Sequence, residues 1–364
     1  MDAQYKQVKK SATTSSKLKT HLSAIFACSV LYIFLCLIYL PTYVFRWIIS
    51  KIVPKLWPQY EKIIFSSNAY YIASDDIYSS PKCTILVGPV FPGGASVSIE
   101  KLRLDFTTKI LQARKANGEI LYPEMTQVPV KCCGFHFWKS LSNFKIEDYV
   151  RELLPSNKEF NAREIESIQN DLTFRPYEEE KCLWECLLLR NCNLSQQRDS
   201  ELSSIVFFRM HHSLTDGYSA LNIISQLSDS YRCVQYDKPM GNISSTRILK
   251  NVYESFILFT VGFYQLVHKM LESGDDNEWH PTNEGGIRLT KDYKLAQMEI
   301  PVSIELIKSV RMKHSVSFTS VVIASMAGAI RKLMRKTNYN IPQEMHALYP
   351  LPIPDHPEEL TNHL

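Results

Sequence analysis

The residues best suited to chemistry are His211-His212-Ser213-Leu214-Thr215-Asp216-Gly217, which read HHxxxDG. They follow a strand-like run at 201–210 (ELSSIVFFRM) and precede a helix-like run at 218–231. A histidine at a strand-to-helix junction is held rigidly and still reaches a cleft. Such a residue suits a general base that removes a proton from an alcohol. Neighbours on a strand point apart, so the two imidazoles divide the work. His211 is expected to be buried, hydrogen-bonded and structural, and His212 is the candidate base. Asp216 is read either as the N-cap of the following helix or as the partner of a remote arginine. In both readings it supports the loop and moves no proton. Gly217 leaves room for a close approach. Two histidines and an aspartate also suit a metal, but the diverging rings and the lack of a third ligand nearby argue against one, and no metal is expected.

Several elements must hold this motif in place. Residues 83–87 and 180–189 (EKCLWECLLL) read as strands. A polar loop at 191–200 separates the second of these from the histidine strand, so the two are expected to pair. Helices are expected at 98–112, 145–154, 162–170, 252–271, 304–313 and 319–334, with further strands at 294–300 and 344–351. The alternation points to an α/β or α+β class. The folded body is expected to begin near Asn68, and residues 236–246 are rich in turn formers.

Composition narrows the class. The chain has 364 residues, 45% hydrophobic and 21% charged, with 41 basic against 37 acidic side chains. A net charge of +4 is too small to suggest nucleic acid. Nine scattered cysteines with no CxxC pair read as reduced thiols, so a body facing the cytosol is expected. None stands near HHxxxDG in sequence, which argues against a cysteine nucleophile. Residues 22–40 (LSAIFACSVLYIFLCLIYL) carry no charge, and the uncharged run extends to Phe45. About 20 apolar residues cross a bilayer, so the run is a candidate span. A cleaved signal peptide is the alternative, but no small-x-small site precedes Pro41. Residues 43–56 read as an amphipathic helix on the membrane surface, or as the return arm of a hairpin. Basic residues on both sides leave orientation open.

Three stretches resemble one family. Phe174-Arg175-Pro176 with Cys182-Leu183-Trp184-Glu185 is similar to a Pro…LeuTrpGlu strand before the histidine strand; HHSLTDGYSALNIISQL follows, and 318–334 (FTSVVIASMAGAIRKLM) is similar to a later helix. Together they resemble the wax ester synthase/diacylglycerol acyltransferase family, a branch of the CoA-dependent acyltransferases. The resemblance, which covers roughly Phe91 to the C-terminus, implies a chloramphenicol acetyltransferase-like, two-domain α/β fold, to which the apolar run adds an N-terminal membrane helix. Charge and apolar composition assign a basic tail at 1–21 and a membrane anchor at 22–60; the resemblance implies an N-terminal acyltransferase domain at 68–235, a linker with an apolar helix at 236–286, and a partial C-terminal domain at 287–364.

The same resemblance implies acyl transfer from acyl-CoA, as co-substrate, to a fatty alcohol or diacylglycerol, with membrane lipids as surroundings and no bound cofactor. The expected location is the endoplasmic reticulum or the lipid droplet. The family's Asn-Asp pair is replaced by Thr319-Ser320, whose hydroxyls either donate to an oxyanion or cap a helix. Asn362 occupies the position of a later family asparagine. The chain stops at Leu364, short of the family's usual length, which puts the second domain in doubt. The alternative function is therefore a catalytically inactive paralogue that binds acyl-CoA or lipid at the membrane.

Overall fold

The computed structural model describes residues 2–92, 97–154, 158–194, 202–228, 257–272 and 302–342, with isolated positions as far as residue 360. The chain divides into two compact units. One comprises Val44–Pro239, Asp292–Gln297 and Pro350–Leu364; the other comprises Met1–Tyr43, Met240–Lys291 and Met298–Tyr349.

The first unit is mixed α/β. Helix α1 (Asp2–Leu56) enters it at its C-terminal end. Strand β1 (Tyr60–Ile63) pairs antiparallel with β5 (Phe135–Ser140), which pairs with β4 (Gln127–Cys132), forming a three-stranded sheet. The body thus begins at β1, ahead of Asn68, which lies inside α2 (Ser66–Ser74). Val53 of α1 packs against Ile63 and Phe137, so the end of the long helix is fastened to this small sheet.

A six-stranded sheet carries the histidine motif. Its path runs β2 (Thr84–Val87), β9 (Ser203–His211), β8 (Trp184–Asn193) and β6 (Val150–Glu152). β3 (Val90–Pro92) also pairs with β9, and β7 (Phe160–Asn161) pairs with β8. β8 and β9 are antiparallel, as expected for neighbours joined by a loop, whereas β6 and β7 run parallel to β8. All nine residues of β9 are buried, so both faces of this strand are covered. Val206, Phe208 and Met210 enter one core with Trp184, Phe106 and Ile223, while Ile205 and Phe207 enter another with Ile165 and Leu172. Helices α3 (Ile99–Phe106) and α6 (Gly217–Leu227) supply the first core, and α5 (Ala162–Phe174) the second. Trp184 is fully buried, stacks on Phe106 at 4.6 Å and donates its indole N–H to the Met125 carbonyl at 2.8 Å. Its truncation to alanine would cost about 3–5 kcal/mol.

Two expectations need correction. The helix at 145–154 is a single turn, α4 (Ile146–Tyr149), followed by β6, because residues 150–152 pair with β8 in register. The amphipathic arm at 43–56 is not separate, because α1 runs unbroken through Pro41 and Pro54, and no hairpin forms there. Within Leu22–Leu56 the most apolar 18-residue window has a mean hydropathy of 2.4 and is unburied.

In the second unit, a π-helical turn (Leu258–Gly262) leads into α7 (Phe263–Glu272). Helices α8 (Ile304–His314) and α9 (Phe318–Lys336) follow, and meet at 102°. The expected turn-rich 236–246 and strand 294–300 lie outside the described residues, as do 273–286 and all but isolated positions of 344–351.

Candidate active site

The histidine pair sits where β9 ends, bracketed by main chain on both sides. His211 donates its backbone N–H to the Leu183 carbonyl at 2.9 Å, and His212 donates its own to the Cys83 carbonyl at 2.7 Å. Two flanking strands therefore fix the junction before any side chain acts.

His211 is fully buried. The backbone N–H of Ser213 points at its Nδ1 from 3.1 Å, so that nitrogen accepts and the ring proton is assigned to Nε2. Nε2 then donates to Oδ2 of Asp75 at 3.0 Å. The Ser213 hydroxyl lies 2.8 Å from Nδ1, and Tyr177 covers the ring edge-on at 5.7 Å. Burial holds His211 below the usual histidine range, and Asp75 opposes that only in part. The ring is neutral at physiological pH.

Asp75 stands 136 residues upstream, just past α2, and had no signal in the sequence. Its side chain is 2% exposed. It accepts from the backbone N–H groups of Lys82 and Cys83 at 2.9 Å as well as from His211. Burial alone would raise its carboxyl. The bonds from His211, Cys83 and Lys82 outweigh that and hold it below the usual carboxylate range.

His212 is half-buried and stacks on Tyr71 of α2, with ring centroids 4.3 Å apart and planes at 22°. Burial, with Cys83 and Tyr70 nearby, pushes the Tyr71 hydroxyl up, so it stays protonated at neutral pH. Tyr71, like Asp75, is a site residue that the linear sequence did not single out.

Asp216 is fully buried and caps α6, its carboxylate accepting from the Ser219 N–H at 2.8 Å. Gly217 opens the helix, and a Cβ there would meet nothing within 4 Å, so the chain itself does not require glycine at that position. Behind the motif, Arg209 is buried beneath Tyr177, its guanidinium 3.7 Å from the ring centroid. It donates to Glu185 at 2.9 Å, to the Leu172 carbonyl at 2.6 Å and to the Arg175 carbonyl. The Phe-Arg-Pro and LeuTrpGlu stretches thus converge on one arginine two residues before His211.

The reading that no cysteine stands near the motif needs correction, since Cys83 is the backbone partner of His212. Burial pushes its thiol up, and the Asp75 carboxylate adds to that, so a thiolate nucleophile is disfavoured there. No group of three or more metal-ligating side chains occurs among the described residues. Cavities of about 300 and 360 Å³ adjoin Arg209 and the β4–β5 hairpin respectively, and His212 lines neither.

Thr319 and Ser320 lie in the first turn of α9, in the other unit. Ser317 is the cap of that helix, accepting from the Ser320 N–H at 3.0 Å, and its hydroxyl lies 2.7 Å from that of Ser320. Asn362 lies outside the described residues.

No protein-family model matches the chain. A curated relative, wax ester synthase/diacylglycerol acyltransferase 5 of Arabidopsis thaliana, is 22% identical over 191 residues, 47% of this chain and 36% of the relative. The chain thus matches little more than a third of that relative's length. Among solved structures, the wax ester synthase/diacylglycerol acyltransferase of Marinobacter aquaeolei VT8 is 15% identical, covers 78% of this chain and 63% of its own, and has a TM-score of 0.45. The starter condensation domain of rhizomide synthetase is 13% identical over 44% of this chain and 33% of its own, with a TM-score of 0.30. The chain is mixed α/β and resembles the wax ester synthase/diacylglycerol acyltransferases.

Proposed function

We propose that this chain moves a fatty acyl group from acyl-CoA to a lipidic alcohol, a long-chain alcohol or diacylglycerol, with His212 as general base. One observation carries the reading. Of two adjacent histidines, one is locked away neutral between Asp75 and Ser213, while the other stands half-buried at the rigid end of β9. The similarity to wax ester synthase/diacylglycerol acyltransferases supports the substrate class.

In this mechanism His212 takes the hydroxyl proton as the oxygen attacks the thioester carbon. The tetrahedral intermediate collapses, the C–S bond breaks, and the imidazolium returns the proton to the departing CoA thiolate. An ester and free CoA result, with no covalent enzyme intermediate. Asp216 and Gly217 shape the turn into α6. Thr319, Ser320 and Asn362 are candidates for oxyanion or substrate contacts, and α1 anchors the body to the cytosolic face of the endoplasmic reticulum; a lipid droplet, also expected from the sequence, fits an unbroken span less well because its monolayer has no aqueous far side. Acyl-CoA is polar and cytosolic, whereas the acceptor partitions into lipid, so an anchored cytosolic body meets both.

The test is turnover by the full chain in microsomes, with labelled acyl-CoA and a panel of long-chain alcohols, diacylglycerols and sterols. His212→Ala should lower the rate by about 10²-fold or more, and a variant within about threefold of wild type would remove the base assignment. A second reading has one observation in its favour: Ser320 is engaged in the cap of α9. It makes the chain a non-catalytic acyl-CoA or lipid binder, and saturable acyl-CoA binding without turnover on any acceptor would establish it.

A further inference from the structure

We propose that Cys133 is a site of S-acylation by a long-chain fatty acyl-CoA, pinning the β4–β5 hairpin to the bilayer beside α1. The proposal rests on the reading of α1 as a membrane anchor. It concerns a pair of thiols that the acyl-transfer mechanism does not use.

The uncharged run of α1 occupies residues 22–45, and Arg46 is the first charge after it. At 1.5 Å per residue that run is about 36 Å long, enough for a hydrocarbon layer of about 30 Å. Phe45 and Arg46 therefore mark the boundary between lipid and water. Trp47, exposed one residue further on, suits that boundary. The tip of the hairpin meets the helix at the same level. The Phe135 ring lies 5.9 Å from the Phe45 ring, and the Arg46 guanidinium lies 5.7 Å from Phe135 and 4.5 Å from Phe65. Arg46 also donates to the Ile64 carbonyl at 2.6 Å, which ties the boundary residue to the small sheet.

The turn itself is Cys133-Gly134, between the paired residues Cys132 and Phe135. Both turn residues are left-handed, with φ of 50° and 83°. Two-residue turns of this kind favour asparagine, aspartate or glycine at each position. A cysteine is a poor choice on conformational grounds, so the fold does not explain it. Cys132 is half-buried and packs with Ile63 and Phe137; its S–H points towards the Cys133 sulfur, 3.8 Å away. Cys133 is exposed. The structure thus presents a thiol in water at the lipid boundary, within reach of an acyl chain resting in the bilayer, and juxtamembrane cysteines with that placement are acceptors for reversible acylation.

The chemistry is thioester exchange. The Cys133 sulfur attacks the acyl-CoA carbonyl carbon, the bond from that carbon to the CoA sulfur breaks, and CoA leaves as a thiol carrying the proton that Cys133 gave up. Nothing is oxidised or reduced.

The experiment expresses the full chain in eukaryotic cells fed an alkyne-tagged palmitate analogue. Label on the purified chain is then measured before and after hydroxylamine, which cleaves thioesters. Cys133→Asn is the informative variant, because asparagine tolerates the left-handed turn and the fold should survive. A paired Cys28→Ser, Cys36→Ser variant controls for thiols inside the apolar run. The expected result is hydroxylamine-sensitive label on wild type, retained by the paired control and reduced at least about tenfold in Cys133→Asn. Label retained by Cys133→Asn overturns the proposal. So does an unlabelled wild-type chain that stays in the membrane pellet after carbonate extraction. A chain released by carbonate fails earlier, at the anchor reading, and takes this proposal with it.

Discussion

At the scale of single residues, the feature with the widest consequences is the carboxylate of Asp75. It fixes the tautomer of His211 and collects the N–H groups of Lys82 and Cys83, while the carbonyl of Cys83 holds the backbone of His212. Asparagine would keep one accepting oxygen and turn the other position into a donor aimed at N–H groups. Asp75→Asn is therefore expected to lower kcat by about tenfold to a hundredfold through misplacement of the base, with KM little changed. Asp75→Glu should recover part of that loss. A purely structural role would instead lower the yield of folded protein and leave kcat per folded molecule intact. The test is kcat and KM on material normalised by its folded fraction, measured by size exclusion and thermal unfolding. Asp216→Ala belongs to the same scale: it removes the cap of α6 and should cost about 0.5–2 kcal/mol, measured by thermal unfolding.

Among the elements, β9 was legible because its run of β-branched and aromatic residues is dense and ends in an unmistakable motif. Its pairing with β8 followed from the short polar loop between them. Other features were not legible, for identifiable reasons. Residues 150–152 carry helix-like surroundings, yet the exposed flank of β8 recruited them as a parallel strand, and tertiary pairing outweighed local preference. Pro41 lies inside α1, which runs unbroken from Asp2 to Leu56, so the apolar sequence on its two sides forms one helix and not two. Asp75 and Tyr71 reach the histidines only through folding, from more than a hundred positions away. Gly88 is a similar case, silent in sequence. It joins β2 to β3, and a Cβ there would lie 3.0 Å from the Phe207 ring and 3.2 Å from Ile205. Phe207 is fully buried and has nowhere to move. Gly88→Ala should thus destabilise the sheet by about 1–3 kcal/mol, as overpacking does. An unchanged denaturant midpoint would show that the β2–β3 link yields more easily than this packing implies.

For the molecule as a whole, the buried His211 and the half-buried His136 set how stability responds to acid. Burial lowers both His211 and His136, with Lys131 adding to the effect at His136. An unfolded histidine titrates near 6.5, so below that pH the unfolded chain takes up protons that the folded chain refuses. Folding is then favoured less with each step downward, until the folded-state values are reached. Asp75 acts with the same sign lower on the scale: its folded carboxyl is held below the ordinary value, so its contribution is complete above about 4 and fades as pH falls further. The thermal midpoint of the detergent-solubilised chain should therefore be level near neutrality and decline as pH drops from about 6.5 to 5. His136→Asn should remove part of that decline and leave the part due to His211. A midpoint that holds constant across the interval would mean that His211 is protonated as readily inside the protein as outside it. The neutral ring between Ser213 and Asp75, and with it the division of labour between the two histidines, would then have to be given up.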